Sequence, residues 1–149
     1  AHGERYITGD IESPLAKVKM DIHHMPFGDQ SFDVVLCNHV LEHVDNDIQA
    51  MREIRRVLRP GGFAILQVPF FAPVPEVTLE DTKVSDPRER ERLFGQDDHV
   101  RKFGKDYADR INRSGLMAQP DDFAKTLAGA GRYGIAAGEL IYKAVRPAS

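Results

Sequence analysis

The chain has 149 residues, 42% of them hydrophobic and 29% charged, with 20 Lys and Arg against 23 Asp and Glu for a formal charge of −3. That length suits one domain, and the composition is globular rather than disordered or fibrous; the charge balance offers no basic surplus for nucleic acid or an anionic membrane surface. The longest apolar stretch, Phe63 to Pro75, is broken by Gln67 and three prolines and falls short of the roughly 20 residues of a spanning helix, which excludes membrane insertion.

The chain opens on Ala1-His2-Gly3-Glu4 without an initiator Met; removal of Met before Ala or a truncated start would each account for this. No leader pattern is read there. Arg5 to Thr8 is expected to form a first strand ended by Gly9-Asp10, and Ala16 to Met20 a second ended by Asp21. Phe32 to Cys37 is a near-continuous apolar run rich in β-branched residues, the pattern of a strand buried on both faces. Cys37, the single cysteine, sits inside that run and suits a reducing compartment, so cytoplasm is the expected location. From Asn46 the apolar residues Ile48, Met51, Ile54, Val57 and Leu58 fall on one helical face, with Asn46 as cap and Gln49 in the capping-box place. Pro60-Gly61-Gly62 is expected to end this helix, and Phe63 to Val68 gives another buried-type strand. Strand, helix, strand in this order implies parallel pairing.

The second half is more polar. Pro69 to Val84 reads as a long loop with three prolines, and Ser85 or Asp86 caps a short helix with Pro87 at its first position and Gly95 after its end. Lys105 to Arg113 reads as a helix closed by Ser114-Gly115, Leu116 to Gln119 as a weak strand, Asp121 to Leu127 as a short helix and Glu139 to Val145 as a terminal strand. The run Ala128-Gly129-Ala130-Gly131 follows a helical pattern instead of a strand, which argues against a dinucleotide loop.

Three junctions carry the chemistry, each directly after a strand: Asp10, Asp21, and Cys37-Asn38-His39. In an open parallel sheet, ligands bind beyond the carboxyl ends of the strands. A carboxylate there can accept from a ribose diol, and one on the next strand end from an adenine amino group, through charge-assisted bonds. Each Asp taken alone is also an ordinary turn residue.

Four words in this order, Tyr6-Ile7-Thr8-Gly9-Asp10-Ile11, Asp21 through Asp33, Cys37-Asn38-His39-Val40-Leu41-Glu42-His43-Val44 and Leu58-Arg59-Pro60-Gly61-Gly62, resemble the class I S-adenosylmethionine-dependent methyltransferases, specifically the type 11 methyltransferase domain. The resemblance covers Tyr6 to Pro69, with a weaker match at His99-Val100-Arg101-Lys102-Phe103. It implies an α/β, Rossmann-like sheet, mostly parallel with an antiparallel C-terminal strand, and S-adenosylmethionine as cofactor. By the same resemblance, Asp10 would hold the ribose hydroxyls and Ile11 pack on the adenine. Asp21 and the Ile22 N–H would meet the adenine edge, and Asn38 and His39 would line the methionine end. Methyl transfer would proceed by in-line displacement without a metal, and His43, His99 and Tyr107 are the candidate bases should the acceptor need one. The acceptor, a small molecule or another group that the sequence does not identify, would bind on the side covered by residues 69–103, where Arg88, Arg90, Arg92 and Arg101 could meet an anionic group, or the first three simply form a solvated face.

The chain departs from the family at its start: nothing before Tyr6 supplies the first strand or the glycine-rich turn that cradles the methionine portion. A single truncated domain spanning 1–149 is the expectation. The absent strand would leave a slot roughly 9 to 10 Å wide between the first and third strands, with unpaired backbone on both sides. Direct closure, a second copy filling the slot as a homodimer, or a preceding segment would each remove it. Two other functions remain open. The chain could be a methyltransferase-like interaction module, or His39-Val40-Leu41-Glu42-His43 could serve as a zinc-hydrolase pattern, with His23-His24 as a further ligand source.

Overall fold

A computed structural model describes residues 6–126, 132 and 140–148. Its main sheet has four strands in the order β3-β4-β8-β7, formed by Phe32–Asn38 (β3), Leu58–Gln67 (β4), Met117–Asp121 (β7) and Ile141–Val145 (β8). The β3 and β4 strands are parallel, while β8 runs antiparallel to both β4 and β7, as expected for the terminal strand. Two short pairs stand apart: β1 (Gly9–Asp10) with β2 (Val18–Lys19), parallel, and β5 (Leu79–Glu80) with β6 (Arg101–Lys102), antiparallel.

The first two strands are shorter and shifted from the sequence expectation. Hydrogen bonds from Val18 N to the Thr8 carbonyl and from Met20 N to the Asp10 carbonyl put the ladder at residues 8–10 instead of 5–8. The apolar run Phe32 to Cys37 is a strand, but it is not buried on both faces: Val34 and Leu36 are 44% and 62% exposed while Cys37 is buried. Among the described residues no helix covers the face that Val34 and Leu36 share. The β5/β6 pair lies partly in the stretch expected to be a loop; it forms because Arg101 and Glu80 are brought together from either side of the second helix.

The first helix, α1 (Asp47–Val57), starts as expected, with Asn46 Oδ1 accepting from Gln49 N at 3.0 Å. It stops at Val57, before Pro60, because Leu58 already pairs with Phe32. Residues 59–62 then bulge out of the ladder before Val34 meets Phe63. Gly62 is required there, since a Cβ would lie 2.8 Å from the Asp33 carbonyl oxygen. The second helix, α2 (Pro87–Phe94), has its cap at Asp86 and a left-handed Gly95 after it, and α3 (Tyr107–Arg113) closes at Gly115. A short α4 (Phe123–Thr126) follows β7. The small-residue run 128–131 lies outside the described residues.

The core forms where α1 and α3 meet one face of the main sheet: Met51, Ile54, Val57, Tyr107 and Ile111 pack with Cys37, Ala64, Leu66 and Ala144. No described helix is long and apolar enough to cross a membrane.

Candidate functional site

Asp10 ends β1 and Asp21 follows β2, so the register Asp10 opposite Lys19 sets the two carboxylates at neighbouring strand ends. Each is held by its own turn. Asp10 Oδ1 accepts from Glu12 N at 2.8 Å and Ser13 N at 2.7 Å. Asp21 Oδ1 accepts from His23 N at 2.8 Å and from the His23 ring Nδ1 at 2.7 Å. Backbone donors accordingly hold both carboxyls below their ordinary pKa, led by Ser13 N–H for Asp10 and His23 N–H for Asp21. The turn reading and the ligand reading therefore coexist: the turns fix two ionised, exposed carboxylates on one edge.

His23 carries that edge across to the next junction. With Nδ1–H donated to Asp21, its Nε2 accepts from Asn46 N at 3.3 Å. Asn46 is the cap of α1, at the end of the 39–46 turn that leaves the carboxyl end of β3. The exits of β2 and β3 thus meet through one imidazole. Further bonds fix the 21–31 segment on α1: Met25 N donates to Glu53 Oε1 at 3.0 Å, and Arg56 donates to the Met25 and Phe27 carbonyls. Ile22 packs on the core, whereas Ile11 is 59% exposed, open to a planar ligand. Asn38 is exposed at the end of β3, and His39 beside it has φ +55.

Between β1 and β3 there is no ladder. A cleft of about 900 Å³ separates them, walled by Tyr6 to Gly9 on one side and Phe32 to Leu36 on the other. Among the described residues these two strands do not pair with each other.

The 39–46 segment is turn and bend, not helix, so His39 and His43 are not one helical turn apart as the zinc-hydrolase pattern requires. His39 lies outside, 61% exposed in its side chain with Nδ1 3.4 Å from Glu42 Oε1, while Glu42 is buried. Two groups fix this segment from the far side. Val100 N donates to the Glu42 carbonyl, and the buried Arg101 guanidinium donates to the carbonyls of Leu41, Val44 and Asp45. Arg101 is thus a clamp for this loop and not an acceptor-binding cation, a correction explained by its burial. Arg92 pairs with Glu89 and Arg90 donates to the Val84 carbonyl, in keeping with a solvated helix face.

The three candidate bases separate by burial. Tyr107 is fully buried with its hydroxyl donated to the Leu66 carbonyl at 3.1 Å, and burial drives its pKa well above the ordinary value, so its place is in the core. His99 is buried, and burial, with His43 adding to it, pulls its pKa down. His43 is one-third exposed, with Nδ1 3.2 Å from Asp98 Oδ2. His23 and Arg101 are the positioning residues that sequence reasoning placed elsewhere; the Asp-x-His spacing of Asp21 and His23 was the available signal for the first, and nothing local signals the second.

Residues 4–66 match the family model of the methyltransferase domain, type 11. A tRNA U34 carboxymethyltransferase of Nautilia profundicola is 38% identical over 61 residues, which is 41% of this chain and 19% of that protein. The chain spans between 16% and 23% of the length of the curated relatives it first matches. Among solved structures, a candidate methyltransferase of Bacillus halodurans superposes with a TM-score of 0.58 at 20% identity, covering 95% of this chain and 81% of that one. The 1,6-didemethyltoxoflavin-N1-methyltransferase of Burkholderia thailandensis, solved with 1,6-didemethyltoxoflavin and S-adenosylhomocysteine bound, gives 0.55 at 15%, over 97% and 62%. At these identities the superpositions speak for the fold. The family match lies on β1 through β4, so residues 4–66 are similar to the type 11 methyltransferase domain, and the chain has the Rossmann-like fold of these solved methyltransferase structures.

Proposed function

We propose that the chain binds S-adenosylmethionine at the edge formed by the exits of β1, β2 and β3 and serves methyl transfer to an acceptor under the 69–103 segment. The observation that supports this most is the Asp21–His23–Asn46 chain of hydrogen bonds, which sets an ionised carboxylate pair beside the turn bearing Asn38 and His39. The donor set fits the group: a nucleoside presents hydroxyls and an amino group, and Asp10 and Asp21 are ionised acceptors with nothing to donate. Asp10 accepts from the ribose diol, Ile11 packs on the base, and Asp21 and the Ile22 N–H take the adenine edge. Asn38 and His39 line the methionine end. Bound there, the cofactor supplies a methyl on a sulfonium leaving group, so the protein's part is to align that methyl with the acceptor and exclude water. No side-chain base is assigned: Tyr107 and His99 are buried, and His43 is paired with Asp98.

Calorimetric titration with S-adenosylhomocysteine tests the reading, on this chain and on one extended upstream of Ala1. Binding that weakens about tenfold or more in Asp10→Ala and Asp21→Ala supports it, given the strength of bonds to ionised acceptors. Binding by the extended chain alone assigns the slot between β1 and β3 to an added strand. Absence of binding by both, with the fold intact, overturns the reading in favour of an interaction module.

A further inference from the structure

We propose that Glu42, His43 and His99 form a site for a divalent first-row metal ion, zinc before the others, beside the carboxyl end of β3. The sequence offers Glu42 and His43 only with His39, as a zinc-hydrolase alternative; the fold leaves His39 outside and brings His99, from the loop after α2, onto Glu42 and His43, 57 and 56 residues earlier in the chain. One ligand atom from each of the three lies within 4.8 Å of the others.

The state of each side chain supports ligation. Glu42 is 1% exposed, and its Oε2 has no hydrogen-bond partner among the described residues. His99 is equally buried, and its Nδ1 is likewise without a partner. A buried carboxylate oxygen and a buried ring nitrogen left bare at one place are costly unless something else completes them. Two acceptors cannot satisfy each other, but both can donate a lone pair to a cation. His43 supplies the third donor and the entry: its Nδ1 faces the Asp98 carboxylate at 3.2 Å, and its Nε2 lies 4.0 Å from Glu42 Oε1. A histidine ligand whose other nitrogen is held by a carboxylate is the usual outer arrangement of a zinc site.

Two imidazoles and one carboxylate match the donor set of open zinc sites, which keep a fourth position for water or substrate. Around such an ion the ligand atoms stand about 3.3 Å apart, so small side-chain rotations from the present spacing suffice. His43, one-third exposed, opens that fourth position toward solvent. The rigid part is already built: Arg101 fixes the Leu41, Val44 and Asp45 carbonyls, and Val100 N donates to the Glu42 carbonyl. The proposal rests on this cluster and not on the methyl-transfer reading.

The test is titration of the metal-stripped 149-residue chain with Zn²⁺, with Co²⁺ as a spectroscopic probe, in competition with a chelator. One equivalent is expected, with a visible Co²⁺ band of nitrogen and oxygen coordination. Affinity should fall at least tenfold in His43→Ala, which lies at the surface, and in His99→Asn and Glu42→Gln, and Asp98→Asn should fall by about 10- to 100-fold. His24→Ala should bind as the unchanged chain does. Less than one equivalent, or equal affinity in His43→Ala and the unchanged chain, overturns the proposal. Cofactor titration is read separately, so either result can fail alone.

Discussion

The two faces of the main sheet are built from similar apolar residues and end in opposite surroundings. On one, Val35, Cys37, Ala64, Leu66 and Ala144 lie under α1 and α3, the last four nearly or fully buried. On the other, Val34 pairs with Phe63 and Leu36 with Ile65, and Val34, Leu36 and Met117 are 44%, 62% and 46% exposed. Strand formation therefore follows from the residue pattern, whereas burial follows from what packs above. Ionisation divides along a related line. On the covered side Cys37 is pushed up to about 12 by burial first and Glu42 second, and burial also raises Tyr107 and lowers His99. At the open edge, Asp10 and Asp21 are lowered by backbone donors instead.

If stability resides in the covered side, the largest losses must come from the layer that does the covering. Arg110 on α3 donates to both carboxylate oxygens of Asp47, at 2.8 and 2.7 Å, and also to Glu80. It joins the two helices, and its removal would strand the buried Asp47 charge. Arg110→Met should cost about 3–5 kcal/mol in urea unfolding. Leu66→Ala, at a fully buried position on the covered face, should cost about 2–5 kcal/mol by leaving a cavity between sheet and helices. Losses under 1 kcal/mol from both would move the source of stability elsewhere.

The pH dependence sharpens the same division at smaller scale. His99 has a folded pKa below its ordinary 6.5, so as pH falls through that value the unfolded chain takes up a proton that the folded chain resists. Its contribution to stability is present above about pH 6.5 and is lost on acidification toward the folded pKa. Asp10 and Asp21, depressed instead, contribute above the ordinary carboxylate pKa, and their contribution is lost only as pH falls through their lowered values. Unfolding midpoints at pH 7.5 and pH 5.5 should therefore differ, and His99→Asn should shrink the difference; an unchanged difference removes His99 as its source.

Sequence reached furthest where the signal is local. The Asn46 cap, the Pro87 and Gly95 ends of α2, and the strand run at Phe32 each follow from neighbours within a few residues. So do the strand-end positions of Asp10 and Asp21, since a turn carboxylate after a strand is legible as such. What escaped reading depends on long-range closure. Arg101 looks like any surface cation until its carbonyl partners some 60 residues away are known, and the Tyr107 hydroxyl looks available until Leu66 is placed over it. The end of α1 is of the same kind: the pairing of Leu58 with Phe32, and not the following Pro-Gly-Gly, stops it.

The smallest expected effect tests the comparison hardest. Leu36→Ser alters a residue 62% exposed on the bare face, beside the cleft between β1 and β3. With so little area withdrawn from water, the change should stay within about 0.5 kcal/mol, against the much larger cost at Leu66 one strand away. Both substitutions remove an apolar side chain from the same parallel pair, so strand propensity largely cancels between them and the difference reports covering alone. A loss at Leu36 as large as that at Leu66 would mean that this face is covered in solution. Protein concentration then identifies the cover: a second copy makes the unfolding midpoint rise with concentration, whereas cover from within the chain leaves it fixed.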